Sequence, residues 1–222
     1  MTLLEAIDAR HSVRTYEDKP LEPAVRDMLN RHIKTCRAES GLNLQLIEND
    51  PSAFTGILAH YGRFRGVRDY IVLAGRGKNL DERIGYYGER LVLEAQRLGL
   101  NTCWVALTYT HNADRVILNA GEKLRSVISI GYGTTQGKGH RIKTYDKVAS
   151  PSKDAVPDWF VRGVEAALLA PTAINQQQFR FQLQDDGSVK ARARLGIYAK
   201  IDLGIVKYHF EIGAFPHLVT WQ

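Results

Sequence analysis

The sequence predicts an α+β protein, on three observations. Segments with helical apolar spacing are interleaved with short apolar runs of strand length. The strongest helical periodicity, Ile84, Tyr87, Leu91, Ala95 and Leu98, lies in mid-chain. After a proline-bearing stretch the helix-then-strand pattern starts again.

In chain order, Thr2 followed three residues later by Glu5 is a capping-box pattern that opens a short helix to about residue 10, with Leu3, Leu4 and Ile7 as its apolar stripe. A second helix is expected over 22–37, where Val25, Met28, Leu29, His32 and Ile33 share one face. Residues 44–47 and 70–74 read as strands, with a short helix near 51–61 between them. The long central helix covers 81–98, and Gly99 is placed to end it. Residues 101–107 form a buried apolar run, 114–118 a short helix, and 127–130 a strand that enters the glycine-rich turn 131–139. Residues 145–158 hold Pro151, Pro157 and mixed charges and make the linker, so that 1–144 and 159–222 are two lobes around one shared core. The second lobe begins with a helix over 159–170, then a strand over 179–183, a turn at 185–187 and a helix over 201–214.

That restart carries an echo. Ser40-Gly41-Leu42-Asn43-Leu44-Gln45 and Thr172-Ala173-Ile174-Asn175-Gln176-Gln177 share a hydroxyl, small, aliphatic, Asn, any, Gln order, each between a helix and a strand. Arg83-Ile84 with Arg90 and Glu94 is echoed by Lys200-Ile201 with Lys207 and Glu211 at equal spacing. A tandem pseudo-repeat and two ordinary connections that happen to match both remain open from these residues.

Composition bounds the function. The 222 residues, 44% hydrophobic and 24% charged, exclude disordered, collagen-like and disulfide-scaffold classes. No run of about 18 apolar residues occurs, and the opening segment carries Glu5 and Asp8 where an export signal would be basic and then apolar, so a soluble, cytoplasmic protein without membrane partners is expected. Cys36 and Cys103 are expected to be packed thiols in a reducing compartment. No metal-ligand spacing of His and Cys occurs. The net charge of +6 suits anionic partners, yet the Lys and Arg are spread along the chain, so that charge alone leaves nucleic acid and a phosphorylated cofactor both open; no nucleic-acid partner is expected. Gly131 to Gly139 misses G-x-G-x-x-G because Gln136 holds the third position, and no G-x-S-x-G supports a hydrolase.

Arg10 and Arg14 flank Ser12 at alternate positions just past the first helix. An extended backbone there puts both guanidiniums and the hydroxyl on one side, a row suited to phosphate and polar rings. Taken alone, such a row is also an ordinary solvated turn. In context it resembles the opening of the FMN-dependent nitroreductase family: a helix, then Arg10-His11-Ser12-Val13-Arg14, then Tyr16 and Pro20. Ala170-Pro171-Thr172-Ala173-Ile174-Asn175-Gln176-Gln177 followed by Phe179 and Phe181 is similar to that family's A-P-S-x-x-N-x-Q signature. Leu98-Gly99-Leu100-Asn101-Thr102-Cys103-Trp104 resembles its G-L-x-x-C-W stretch, and Ile130-Gly131-Tyr132-Gly133 with Lys138 and Arg141 its closing strand and basic tail. The order departs from the family's: the good A-P-S-x-x-N-x-Q copy comes late, and a degenerate copy holds the early place. This is similar to a tandem, pseudo-dimeric branch in which one chain supplies both parts of a site that two subunits ordinarily share.

The resemblance implies a three-layer α/β/α sandwich with a mixed, largely antiparallel sheet and one FMN per chain. It implies that Arg10, Ser12 and Arg14 hold the flavin from one lobe, with His11 beside them and Arg141 and Lys138 completing the phosphate site. Backbone N–H groups of Thr102, Cys103 and Trp104 would stabilise charge on the reduced ring. Pro171, Thr172, Ala173 and Asn175 would approach ring and ribityl chain from the other lobe. Judged one by one, His11 and His140 read as exposed polar residues and Trp104 as core. The implied activity is electron transfer from NAD(P)H through FMN to a small electron-poor acceptor of nitroaromatic or quinone type, with no side-chain nucleophile, in a monomer or homodimer. A non-catalytic FMN-storage or scaffold protein is the alternative, and oxygen-dependent or dehalogenating chemistry on the same fold a third.

Overall fold

Helix α1 (Leu3–Ala9) begins where the Thr2 and Glu5 pair requires. The Glu5 amide donates to Thr2 Oγ1 at 3.2 Å and the Thr2 amide donates to Glu5 Oε2 at 2.7 Å, so two N–H groups the helix leaves open are satisfied reciprocally. The structure is a computed structural model and describes residues 1–55, 62–106, 108–109 and 114–222. It contains two compact units: Met1, Ala9–Leu80 and Arg90–Lys138 form the first, and Thr2–Asp8, Asp81–Glu89 and Gly139–Gln222 the second.

In the first unit, α2 (Pro23–Ser40) starts on a proline and ends at Gly41, whose left-handed backbone (φ 66°) lets its amide donate to Arg37 O. Its buried residues Leu29, Ile33 and Cys36 make one stripe. Strands β1 (Asn43–Ile47), β2 (Asp69–Gly75), β3 (Asn101–Val105) and β4 (Lys123–Gly131) form an antiparallel sheet in the order β1-β2-β4-β3. Leu44 pairs with Leu73, Ile71 with Ile128, and Cys103 with Ser129. Every residue of β2 is buried, as in a strand covered on both faces, which is why its sequence reads as a continuous apolar run. Val13, Tyr16, Tyr70, Val72, Val105 and Val127 belong to the core of this unit.

One expectation fails here. Residues 114–118 are a turn followed by irregular chain, not a helix. The reason is competition: Gln45 Oε1 accepts the Ile117 N–H at 3.1 Å, and Asn43 Nδ2 and Gln45 Nε2 both donate to Ile117 O, at 2.8 and 2.6 Å. The backbone groups a helix would need are already taken. Of the helix expected near 51–61, the described part holds a 3-10 turn at Pro51–Phe54, and residues 56–61 lie outside the described residues, as does Leu107 at the end of the expected apolar run.

Helix α3 (Leu80–Arg97) supplies residues to both units. The second unit also contains α4 (Tyr145–Val148), β5 (Ala149–Ser150), α5 (Asp158–Leu168), β6 (Phe179–Leu183), β7 (Val189–Ala193) and α6 (Ala199–Ala214). Its sheet has the order β5-β6-β7, with β5 parallel and β7 antiparallel to β6. Residues 145–158 thus carry a helical turn, a short strand and a 3-10 turn at Lys153–Ala155. Four fully buried aromatic residues build the core: Phe181 lies 4.7 Å from Phe210 between ring centroids, Phe160 lies 5.4 Å from Phe210, and Phe179 lies 5.4 Å from Phe181.

Within this unit α3 crosses α6 with almost no space between backbones. A methyl group added at Gly85 would overlap the Ile201 carbonyl oxygen, and one at Gly204 would overlap the Glu82 carbonyl oxygen. The approach is reciprocal, since each glycine faces the carbonyl three residues before the other. Both helices follow a left-handed non-glycine residue, Asn79 (φ 52°) and Tyr198 (φ 53°). Glycines and caps therefore correspond in a register two residues away from the Arg83-Ile84 and Lys200-Ile201 echo.

Candidate functional site

The segment after α1 is laid beside β3. The Val13 amide donates to Thr102 O at 3.0 Å, and Ser12 bridges Thr102 in parallel. On the other side the Arg65 amide donates to Arg14 O and the Tyr16 amide to Arg65 O, both at 2.9 Å. This extended backbone sends alternate side chains to opposite sides. Val13 is buried in the core, whereas Arg10, Ser12 and Arg14 gather at Cys103. Burial pushes the Cys103 thiol up, opposed in turn by the Arg14 charge, the Ser12 hydrogen bond and the Arg10 charge. Burial wins, so the thiol is a packed group and not a reactive thiolate. Tyr16 pins the segment from beneath: its hydroxyl lies 2.7 Å from Val13 O and 2.9 Å from Ser129 Oγ, and burial holds its pKa well above the usual phenol value.

Arg10 is buried and Arg14 exposed. Arg14 lines a cavity of about 410 Å³ together with Trp104, Arg63, Phe64 and Thr108. Trp104 is thus half-buried and faces a cavity; judged alone it reads as core, and the resemblance gives it to the flavin site. His11 is half-buried. The first unit therefore brings together Arg10, Ser12, Arg14, Thr102, Cys103 and Trp104; Lys138 is exposed at its C-terminal boundary.

The second unit brings Arg141, Thr172, Ala173 and Asn175 together, but through intrachain hydrogen bonds. Asn175 Nδ2 and Gln177 Nε2 both donate to Arg141 O, at 2.9 and 2.8 Å, and Gln177 Nε2 also lies 2.8 Å from Asn175 Oδ1. The Lys143 amide donates to Gln177 Oε1 at 2.8 Å, and Lys143 Nζ donates to the carbonyls of Gln176 and Gln177. Ile174, Asn175 and Gln177 have positive φ, a costly conformation for the β-branched Ile174 that persists because these bonds over-determine the turn. Asn175 therefore works first as a fastener. His140 is half-buried with Nε2 3.1 Å from Leu168 O, where the sequence suggested an exposed ring.

The same clamp exists in the first unit. Asn43 Nδ2 and Gln45 Nε2 share the Ile117 carbonyl, Gln45 Nε2 lies 2.9 Å from Asn43 Oδ1, and Gln45 Oε1 accepts the Ile117 N–H. Three bonds recur in the two Asn-x-Gln motifs, and the fourth differs: Gln45 Oε1 takes the N–H of Ile117 itself, whereas Gln177 Oε1 takes that of Lys143, two residues past Arg141.

Asp202, on α6, was not singled out by sequence, although an acid between Ile201 and Leu203 in an apolar helix was a visible signal. Its carboxylate accepts the Ala173 amide at 3.0 Å and Gln176 Nε2 at 2.8 Å. Burial pushes it up to about 6, against those two hydrogen bonds. A folded state that binds the proton more tightly than the unfolded chain loses stability as pH rises from about 4 to about 6, and is level above that. Asp202→Asn is expected to remove this loss, about 2 to 3 kcal/mol. Denaturation midpoints of protein and variant at pH 4 and pH 7.5 check it: the variant must gain on the intact protein at the higher pH, and a constant offset refutes the assignment.

Fold and site together define an α+β protein that lays a row of two guanidiniums and a hydroxyl against an edge strand. The profile of the family described as "Putative TM nitroreductase" matches residues 2–214, and the chain belongs to that family, by its name a family of oxidoreductases. No curated protein matches the chain. Among solved structures, a putative nitroreductase from Thermotoga maritima is similar with a TM-score of 0.69 and 22% identity, covering 96% of this chain and 83% of that one. An FMN-dependent nitroreductase from Clostridium difficile has a TM-score of 0.51 and 18% identity over 64% of this chain and 95% of its own. A putative nitroreductase from Desulfovibrio desulfuricans, solved in complex with FMN, has a TM-score of 0.51 and 16% identity over 67% of this chain and 95% of its own. At these identities the likeness is one of fold. No helix among the described residues is long and apolar enough to cross a membrane.

Proposed function

We propose that the chain is an FMN-dependent oxidoreductase that passes electrons from NAD(P)H to a small electron-poor acceptor. The observation that carries this reading is the gathering of Arg10, Ser12 and Arg14 on one side of an extended segment beside Thr102–Trp104. Two guanidiniums and a hydroxyl are the donor set that an anionic phosphate and a polar ring require, so the residues fit the cofactor. When bound, FMN supplies the redox chemistry. Arg10, buried, is a fixed positive charge, and Arg14 is a solvent-facing one. Both favour the anionic cofactor over neutral solutes. In the second unit Lys143, Gln177 and Asp202 hold the turn that carries Pro171, Thr172, Ala173 and Asn175. The Asn-x-Gln clamp, whose side-chain amides make three corresponding bonds in both copies, supports a tandem chain, and the single Arg-x-Ser-x-Arg row supports one flavin per chain.

The absorbance spectrum of protein purified without added flavin, and its titration with FMN, test the proposal. Arg10→Ala and Arg14→Ala are each expected to weaken FMN uptake about tenfold or more, the loss of a charge-assisted contact. Intact protein that takes up no FMN sinks the reading. Flavin uptake without NAD(P)H oxidation in the presence of an added quinone sinks the catalytic part alone.

A further inference from the structure

Resting on the flavin reading, we infer that the cavity beside Arg14 is the acceptor's place, and that Arg63 selects acceptors that are aromatic acids.

Arg14 belongs both to the proposed flavin row and to this cavity, so a ligand in the cavity lies against that row. At about 410 Å³ it suits a single-ring molecule. Two half-buried aromatic residues, Phe64 and Trp104, contribute to its wall, and Phe64 is held edge-on against Phe54 at 5.3 Å between centroids. A planar ring finds apolar partners there. Beside Arg14, which the flavin row already uses, Arg63 supplies a further exposed guanidinium, and among the described lining residues there is no carboxylate to neutralise it. The missing counter-charge is what an anionic ligand brings, and the guanidinium fork matches a carboxylate with paired donors.

The placement of Arg63 is not that of a loose surface residue. Its backbone is left-handed, with φ 57°, a conformation costly for a non-glycine residue. The chain two residues on is tied to the flavin row, because the Arg65 amide donates to Arg14 O and Arg65 O accepts the Tyr16 amide. Arg63 is therefore fixed in register with Arg14. The sequence held no sign of this, since Arg63 and Phe64 stand in no periodic pattern and in no matched motif.

The test is calorimetric titration of the FMN-loaded protein with benzoate and with benzamide, two ligands of one shape that differ in charge. Benzoate is expected to bind about tenfold more tightly. Arg63→Gln is expected to erase most of that preference while leaving benzamide affinity and flavin absorbance unchanged. Arg63→Lys, which keeps the charge and loses the fork, should fall between. Equal affinities in the intact protein overturn the inference, and so does an Arg63→Gln variant that sheds its flavin, since the residue then serves the cofactor. The two readings fail separately: protein that binds no FMN yet prefers benzoate through Arg63 loses the flavin reading and keeps the anion site. Flavin-loaded protein indifferent to charge does the reverse.

Discussion

Glu89→Ala is expected to cost about 3 to 5 kcal/mol of stability, because it strands one half of a fully buried ionisable pair. His209 and Glu89 both have no solvent exposure, and Nε2 of the ring lies 2.8 Å from Glu89 Oε1. The other ring nitrogen, Nδ1, lies 3.1 Å from Ala166 O. A carbonyl only accepts, so Nδ1 carries a proton. One further proton lies between Nε2 and the carboxyl, on either partner, and the pair is satisfied in both arrangements. Alanine at position 89 leaves Nε2 without its partner in a site closed to water. Glu89→Gln keeps a donor for Nε2 and is expected to cost only about 1 kcal/mol. Urea denaturation of the two variants checks this. Equal costs for Ala and Gln would mean that volume, and not the hydrogen bond, sets the stability of that site.

The elements legible in the sequence are those whose cause is local. The Thr2–Glu5 box sets its own helix start, and the apolar run of β2 is the direct imprint of burial on both faces. What was missed has its cause outside the segment itself. Val189 to Ala193 form a strand although Lys190 and Arg192 interrupt it and Ala191 and Ala193 give little apolar signal; pairing with Phe179 to Leu183 decides the matter. The helix expected at 114–118 loses to hydrogen bonds from Asn43 and Gln45, more than seventy residues away.

The site divides along the same line. Alternation along an extended segment predicts that Arg10, Ser12 and Arg14 share a side, and all three act on the Cys103 thiol. The work of Asn175 was not legible, because the carbonyl it holds belongs to Arg141, 34 residues earlier. The Asn-x-Gln echo is matched in local geometry, since both copies fasten a remote carbonyl with the same two amides. The Ile84 and Ile201 echo is less so, since the helices correspond in another register.

That other register leads to the second large effect. Gly85→Ala and Gly204→Ala are each expected to destabilise the protein by about 3 kcal/mol, the upper end for overpacking, because the added methyl meets a backbone carbonyl and not the end of a flexible side chain. In an unpacked helix the same change would help by about 1 kcal/mol, so the sign itself reports the crossing. Because each glycine faces the carbonyl three residues before the other, the two single substitutions should cost nearly the same. The double variant should cost clearly less than their sum, since helices already forced apart by one methyl accommodate the second. Denaturation midpoints of the two singles and the double decide. Strictly additive costs would mean that the glycines do not share one crossing. Very unequal costs would mean that the reciprocity of the backbones is not matched by reciprocity of packing, and would weaken the tandem reading that the paired clamps support.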